Sequence, residues 1–317
     1  MHIYLVTAAL AFGTTYLITP LVKKLALKIG AIDHPDDRKV HLEPIPRLGG
    51  LGIWAGFIIA VLSAFTMAQL TGFKLDFGMG FGIVFAGTLL MIVGMVDDIR
   101  GLRATTKLIF QIIATLIVIY FGVEINFITN PFNGIMAIGA FAIPLTLFWV
   151  VGVTNAINLI DGLDGLASGV TAISAITLFF VALRTHQVGA AILLLALASA
   201  SLAFLRYNFS PAKIFLGDSG SLLLGFVLAT AATIGVLKTT LVVAMIVPIL
   251  ILGVPIFDTL WAIGRRLSKG THPFKADNKH IHHLLLRAGF NQREAVLAIY
   301  TACFILSFIA LVMALQK

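Results

Sequence analysis

Charged side chains are scarce in this chain. They make up 11% of its 317 residues, whereas 59% of the residues are hydrophobic. A soluble domain carries about 25% charged residues, and this chain lacks the side chains to cover a soluble fold of its length. The composition therefore excludes a soluble globular protein and predicts one whose solvent is the lipid bilayer.

Cysteine is almost absent, and the first apolar run lacks the basic segment that precedes it in a signal peptide. The single cysteine, Cys303, lies within an apolar run, which excludes an intrachain disulfide framework and a cysteine metal site. The first run ends near Pro20 and is followed, not preceded, by lysines. We expect it to be a membrane span with its N-terminus outside.

Long apolar runs are what the chain has in abundance. We find ten with about the 17–25 residues that span a bilayer as a helix. They lie at 2–22, 50–70, 78–96, 106–122, 135–156, 165–183, 187–205, 219–236, 240–263 and 294–315. We therefore predict an all-α polytopic membrane protein of about ten transmembrane helices, a single domain over residues 1–317. Prolines in the fifth and ninth runs predict kinks or breaks there.

Charge is divided unequally between the two sides of these spans. Most of the 22 lysines and arginines fall in or beside five loops on one side. These loops are 23–49, 97–105, 157–164, 206–218 and 264–293. The positive-inside rule places them in the cytoplasm and both termini outside, and it explains the basic excess without a nucleic-acid partner. Of the 14 acidic residues only Asp76 and Glu124 lie in loops on the other side, so we predict an active site on the cytoplasmic face.

Two adjacent carboxylates, Asp97 and Asp98, close the third run. Because like charges repel at this distance, such a pair tends to need a divalent cation or a proton. That requirement suits metal binding or general-base chemistry. A solvated helix end explains an isolated pair equally well.

A polar series begins at the end of the fifth run and continues through the loop 157–164, where Asn155, Asn158, Asp161 and Asp164 recur every three residues. On a helix they form one stripe, and polar groups at membrane depth are costly unless they have partners. Amides and carboxylates suit a hydrated Mg²⁺ and the hydrogen-bonding edges of a nucleotide. An ordinary helix end explains Gly162 and Gly165 in this segment, but it does not explain why four polar residues recur at the same spacing.

Two more motifs lie in the fourth and fifth cytoplasmic loops. Residues 215–221 read Phe-Leu-Gly-Asp-Ser-Gly-Ser and predict a helix start, which suits a side-chain cap or a phosphate contact. Three of the eight histidines, His280, His282 and His283, fall within four residues. Neutral rings suit a transition metal, and protonated rings beside lysines suit a diphosphate. We expect His280 and His283, but not His282, to share a helix face.

Single residues elsewhere fit the same chemistry or have ordinary explanations. Lys39, His41 and Arg47 precede a Gly-Gly pair in the first loop, which suits phosphate contact, although topology explains the cations as well. A helix-end cap explains Asp258. Together the loops favour Mg²⁺-assisted phosphoryl transfer over a transporter, whose acids usually lie near the bilayer midplane.

Taken in order, these motifs resemble the polyprenyl-phosphate N-acetylhexosamine-1-phosphate transferase family, which includes MraY and the WecA/TagO-type enzymes. The resemblance covers nearly the whole chain and rests on residues 46–50 (Pro-Arg-Leu-Gly-Gly), the pair at 97–98, and the segments 155–165, 215–221 and 280–283. It implies that a polyprenyl phosphate attacks the β-phosphorus of a UDP-amino sugar, giving a polyprenyl-diphospho-sugar and UMP. Mg²⁺ is the implied cofactor, with Mn²⁺ as an alternative.

The resemblance also implies roles for single residues. Asp218 is expected to be a metal ligand, while Asp97 and Asp98 activate the lipid phosphate or, for Asp98, help to hold the metal. His282 joins them as a catalytic candidate. The expected substrate-binding residues are Lys39, Arg47, Asn155, Asn158, Asp161, Asp164, Asn208, Phe215, His280 and His283.

The histidine spacing implies the substrate. The order His280-Ile281-His282-His283 looks like the WecA/TagO-type pattern, which implies UDP-GlcNAc as donor and undecaprenyl phosphate as acceptor. The MraY pattern has three consecutive histidines after a Pro-Ile pair and implies UDP-N-acetylmuramoyl-pentapeptide. The WecA/TagO-type pattern therefore predicts a multi-pass enzyme of the bacterial cytoplasmic membrane that initiates a cell-envelope glycan, such as teichoic acid or O-antigen. The glycan, the polyprenyl length and the choice between monomer and homodimer stay open.

Overall fold

The computed structural model describes residues 2–35, 43–72, 75–130, 134–237, 246–270 and 279–315. Lys39 and His41 lie outside the described residues, so their phosphate contacts stay predictions. In chain order the helices are α1 (His2–Ile29), α2 (Gly49–Leu70), α3 (Phe77–Arg100), α4 (Ala104–Tyr120), α5 (Ala142–Ile160), α6 (Leu166–Arg184), α7 (Val188–Asn208), α8 (Gly217–Ala232), α9 (Ile246–Ile251), α10 (Gly253–Ser268), α11 (Ile281–Arg287) and α12 (Gln292–Leu315).

Two short antiparallel strand pairs accompany these helices. Strand β1 (Ile32–Asp33) pairs with β2 (Ile45–Pro46), and β3 (Phe127–Asn130) pairs with β4 (Gly134–Ala137). The first pair joins the end of α1 to the start of α2 and so belongs to the side on which the polar motifs lie.

The prediction of an all-α polytopic membrane protein is confirmed. Among the described residues, eight helices are long and apolar enough to cross a membrane, namely α1 to α3, α5 to α8 and α12. Helix α4 is apolar but has 17 residues, and the ninth predicted run is divided at Leu252 between α9 and α10. The placement of both termini outside stays a prediction.

The prolines do not lie at the break itself. Pro248 lies within the described part of α9, and Pro144 and Pro255 fall in the first turn of α5 and α10. A proline is tolerated there because the N–H that it lacks would have no partner within the helix. The predicted break of the ninth run is present, whereas Pro144 does not interrupt α5.

Helix α8 forms the centre of the bundle, and every residue from Ser219 to Ala232 is buried. It packs against α2, α3, α5, α6 and α7, whereas α1 and α12 expose apolar side chains such as Leu17 and Phe304, as expected of a lipid-facing surface. Glycines permit the close approach around the start of α8. A side-chain carbon on Gly50 of α2 or on Gly94 of α3 would collide with the backbone of α8.

Candidate active site

A cavity of about 250 Å³ lies where the polar ends of these helices meet. It is bounded by the β1–β2 pair, the end of α3, the turn after α5, the start of α8 and α11. The residues that line it are Asp33, Arg47, Asp98, Asp161, Gly162, Leu163, Asp164, Asn208, Phe215, Leu216, Gly217, Asp218, His283 and Gln292. Most of the sequence-predicted site residues that the structure describes therefore converge on one space.

The start of α8 is held by Asp98 of α3. One carboxylate oxygen of Asp98 accepts a hydrogen bond from the N–H of Asp218 at 2.8 Å, and the other accepts from the N–H of Ser219 at 3.1 Å. Asp98 thus satisfies two N–H groups that a helix start leaves without partners. In this structure both N–H groups therefore donate to Asp98, which favours the cap over the phosphate contact at these two positions.

Asp218 itself lies between a cation and an amide. The Nζ atom of Lys107 forms an ion pair with Asp218 and lies 3.0 Å from an oxygen of Asp97. The Nδ2 atom of Asn158 donates to Asp218 at 3.0 Å and to the hydroxyl of Ser221 at 2.8 Å. This network brings α3, α4, α5 and α8 together around one carboxylate.

Lys107 is a site residue that the sequence motifs do not include. It lies inside α4, one turn from the helix start. A lone cation within an apolar run is costly unless it pairs with an acid. That cost was the available signal that Lys107 joins the predicted acidic site.

The polar stripe predicted after Asn155 is only partly helical. Helix α5 ends at Ile160, so Asp161 and Asp164 lie in the following turn rather than on its surface. Asn155 points elsewhere, because its amide exchanges hydrogen bonds with Gln111 of α4 at 2.7 and 3.3 Å. The structure therefore does not bring Asn155 to the cavity, and Gln111 is a partner that the sequence did not indicate.

The turn after α5 is tied to the segment before α8. Asp164 accepts from the N–H of Ala212 at 2.9 Å. The buried amide of Asn208 accepts from the N–H of Gly165 and donates to the carbonyl of Ile214, both at 3.1 Å. Burial, followed by the nearby charges of Asp218 and Asp98, raises the pKa of Asp161 well above its usual range. A carboxyl group whose pKa is raised in this way readily binds a proton or shares a cation with a neighbouring carboxylate.

The opposite wall comes from the first loop. Arg47 forms an ion pair with Asp33, a residue that the sequence did not single out. Next to it, the N–H of Phe215 donates to the carbonyl of Pro46, and the N–H of Gly49 donates to the carbonyl of Phe215, both at 2.9 Å. These backbone bonds place the Arg47 side chain and the Phe215 ring on one cavity.

The three histidines have different environments, and only His283 lines the cavity. His280 precedes α11, so the prediction that it shares a helix face with His283 is wrong; its ring nitrogen Nδ1 lies 2.8 Å from Asp258. Burial and the neighbouring rings lower the pKa of His282 to about 3, which disfavours a protonated His282. Within the described residues no three histidine, cysteine or acidic side chains form a preset metal cluster, so the transition-metal interpretation gains no support.

The chemistry of the donor set nevertheless fits a hard divalent cation. Five carboxylates line the cavity, from Asp33, Asp98, Asp161, Asp164 and Asp218, and Arg47 is the cation among the lining residues. Carboxylate and amide oxygens are the ligands that Mg²⁺ prefers. Lys107 already places a positive charge against Asp218.

Comparison with known proteins agrees with this site. The model of glycosyl transferase family 4 matches residues 80–236. The chain is 40% identical to a probable undecaprenyl-phosphate N-acetylglucosaminyl 1-phosphate transferase of Bacillus subtilis, over 95% of this chain and 82% of that protein. It is 40% identical to a decaprenyl-phosphate N-acetylglucosaminephosphotransferase of Mycolicibacterium smegmatis, over 93% of this chain and 78% of that protein. It is 29% identical to an undecaprenyl-phosphate alpha-N-acetylglucosaminyl 1-phosphate transferase of Salmonella typhimurium, over 93% of this chain and 79% of that protein.

Those relatives span most of this chain, and the predicted motifs lie within the matched length. The chain therefore belongs to the polyprenyl-phosphate N-acetylhexosamine-1-phosphate transferase family, in its WecA/TagO-type group, and is a multi-pass enzyme of the bacterial cytoplasmic membrane.

Proposed function

We propose that this enzyme transfers GlcNAc-1-phosphate from UDP-GlcNAc to undecaprenyl phosphate. The products are undecaprenyl-diphospho-GlcNAc and UMP, and the first of these begins a cell-envelope glycan. The names of the relatives support both substrates, because they describe N-acetylglucosamine phosphate transfer to undecaprenyl or decaprenyl phosphate. The histidine spacing supports the same donor over the MraY-type substrate.

The observation that carries the proposal is the charge of the cavity. Five lining carboxylates face Arg47, with Lys107 close to Asp218, so an anionic diphosphate is repelled unless a further cation enters with it. We assign that cation as Mg²⁺, with Asp218 as its first ligand. Bound Mg²⁺ would neutralise charge on the diphosphate oxygens of the donor.

The residues around Asp218 position it for this task. Asn158 fixes one oxygen of Asp218, and Lys107 lies between Asp218 and Asp97. Across the cavity, Arg47 supplies positive charge for a phosphate, and the Phe215 ring offers a surface on which uracil stacks. His283 completes the lining beside the turn that holds Asp161 and Asp164.

The chemistry that fits this arrangement is direct attack. An oxygen of the lipid phosphate forms a bond to the β-phosphorus, the bond from that phosphorus to the bridging oxygen breaks, and UMP leaves with the bridging oxygen. The carboxylates of Asp97, Asp98 and Asp218 are engaged by hydrogen bonds or by Lys107 rather than left as activated nucleophiles. Isolation of a phosphoryl-aspartate enzyme during turnover would contradict direct attack.

UMP release by purified protein in detergent tests the function. The assay contains Mg²⁺ and undecaprenyl phosphate and compares UDP-GlcNAc with UDP-N-acetylmuramoyl-pentapeptide. We expect lipid-dependent UMP from UDP-GlcNAc alone, and its loss in Asp218→Asn. Asp76→Asn is the matched control, since Asp76 caps the opposite end of α3. UMP from the pentapeptide donor alone would overturn the donor assignment, and UMP from neither donor in folded protein would overturn the proposal.

A further inference from the structure

A buried carboxylate–imidazole pair lies behind the cavity. Asp258, in the second turn of α10, is 6% exposed, and His280 is 5% exposed. One oxygen of Asp258 lies 2.8 Å from Nδ1 of His280. Because a carboxylate oxygen accepts, Nδ1 carries the proton. Neither residue is among those that line the cavity, so neither is placed to touch the donor.

The same carboxylate also holds the start of α11. The second oxygen of Asp258 accepts from the N–H of Ile281, the first residue of α11, at 2.8 Å. The side chain of His280, the residue before the helix, makes no capping bond of its own. An N–H at a helix start needs an acceptor, and a negative charge there is favourable. The two hydrogen bonds that the Asp258 side chain of α10 accepts thus set the position of α11.

A row of rings connects this pair to the cavity. The rings of His280 and His282 are parallel within 4°, with centroids 5.9 Å apart, and the rings of His282 and His283 have centroids 4.2 Å apart. The His282 ring lies against Gly162, where a side-chain carbon would collide with it. His283 is the member of the row that lines the cavity. We therefore expect a displacement of His280 to reach His283 through the His282 ring, which neighbours both.

We infer that Asp258 and His280 are positioning residues, which hold α11 so that His283 faces the diphosphate of the donor. The inference rests on the proposed function for the identity of that donor. It replaces the prediction that His280 contacts substrate, and it gives Asp258 a role beyond that of an ordinary helix-end cap. Asp258 and His280 act through His283 and do not touch the reacting atoms of either substrate.

The kinetic test uses Asp258→Asn, which keeps the size of the side chain. The asparagine oxygen still accepts from the N–H of Ile281, but its amide nitrogen is a donor where the Nδ1–H of His280 requires an acceptor. We expect KM for UDP-GlcNAc to rise about tenfold, with a smaller change in kcat. The double variant Asp258→Asn/His283→Ala should be no worse than His283→Ala, because both changes remove the same contact. Additive effects in the double variant would overturn the inference.

The control is Asp76→Asn. Asp76 also accepts from an N–H near a helix start, that of Met79, but it lies roughly 30 Å from Asp98 along α3 at the usual helical rise. We expect its KM and kcat to match those of wild type. If KM rose as much in Asp76→Asn as in Asp258→Asn, the effect would come from a general loss of stability and not from the positioning of His283.

A second measurement does not depend on activity. Cys303 is the single cysteine and is buried, so His283→Cys in a Cys303→Ala background gives one site for a nitroxide spin label. We expect Asp258→Asn to increase the mobility of that label and Asp76→Asn to leave it unchanged. Unchanged mobility in folded Asp258→Asn protein would overturn the inference. If wild-type protein releases no UMP, the proposed function fails, while the spin-label comparison still decides the positioning.

Discussion

Lys107 of α4 and Asp218 of α8 form an ion pair although they lie 111 residues apart in the sequence. The same ammonium group lies 3.0 Å from Asp97 of α3. One cation therefore balances two carboxylates at the N-terminal end of α8. Lys107 is partly buried, with its side chain 21% exposed, which limits the screening of this charge by water. The predicted acidic site is therefore a mixed-charge site.

Replacement of Lys107 by methionine tests that balance. Lys107→Met keeps the apolar length of the side chain but leaves Asp97 and Asp218 without their shared counter-charge, which costs free energy in a partly buried site. We expect kcat/KM for UMP release to fall by at least about tenfold, equal to about 1.4 kcal/mol. Lys24→Met, at an exposed lysine of α1, is the control. Equal activity of the two variants would contradict a role for Lys107 in the site.

The close contact of α3 with α8 predicts a steric effect at Gly94. In Gly94→Ala the added carbon meets the backbone of Asp218 and Ser219, which forces the start of α8 away from Asp98. We expect a stability loss of about 1–3 kcal/mol, seen as a lower thermal midpoint in detergent, together with reduced UMP release. Gly152→Ala is the matched control, since it lies in α5 and its added carbon meets nothing within 4 Å; there alanine should be neutral or slightly stabilising.

His282 predicts a dependence of stability on pH. Burial first, and then the neighbouring rings of His283 and His280, lower its pKa to about 3, against about 6.5 in the unfolded chain. Above pH 6.5 the His282 ring is neutral in both the folded and the unfolded protein. Between pH 6.5 and pH 3 only the unfolded chain takes up the proton. Stability is therefore lost progressively as the pH falls from about 6.5 towards 3, by about 2 kcal/mol at pH 5.

The measurement is the thermal midpoint in detergent at pH 7.5 and at pH 5. We expect His282→Gln to lose less stability between these two values than wild type does, because glutamine cannot be protonated. An identical decrease in both proteins would show that His282 does not carry the effect.

The two asparagines of α5 should behave differently. Asn155→Ala removes the partner of the Gln111 amide and should cost about 1–3 kcal/mol of stability, with KM for UDP-GlcNAc unchanged in the folded fraction. Asn158→Ala removes the amide that holds Asp218 and Ser221 and should lower kcat/KM. A larger kinetic defect in Asn155→Ala than in Asn158→Ala would contradict their assigned positions.

Much of this arrangement was predictable from residue order alone. The apolar runs predicted the spans because a helix must bury its backbone polar groups and present apolar side chains to lipid. The segregation of Asp97, Asp98, Asp161, Asp164 and Asp218 to loops on one side predicted a polar site at one end of the bundle. The order of the motifs predicted the family, which the relatives confirm.

The sequence by itself thus determined the solvent, the helices and the side of the bundle on which the chemistry gathers, because hydropathy and charge are local properties of the chain. The tertiary structure decided which partners meet. Asp98 supports the start of α8, Asn155 turns to Gln111, Lys107 joins Asp218, and His280 turns to Asp258. Each of these pairs depends on how two helices are rotated and how closely they cross, and an apolar run carries no record of that rotation because lipid and neighbouring helices both favour the same side chains.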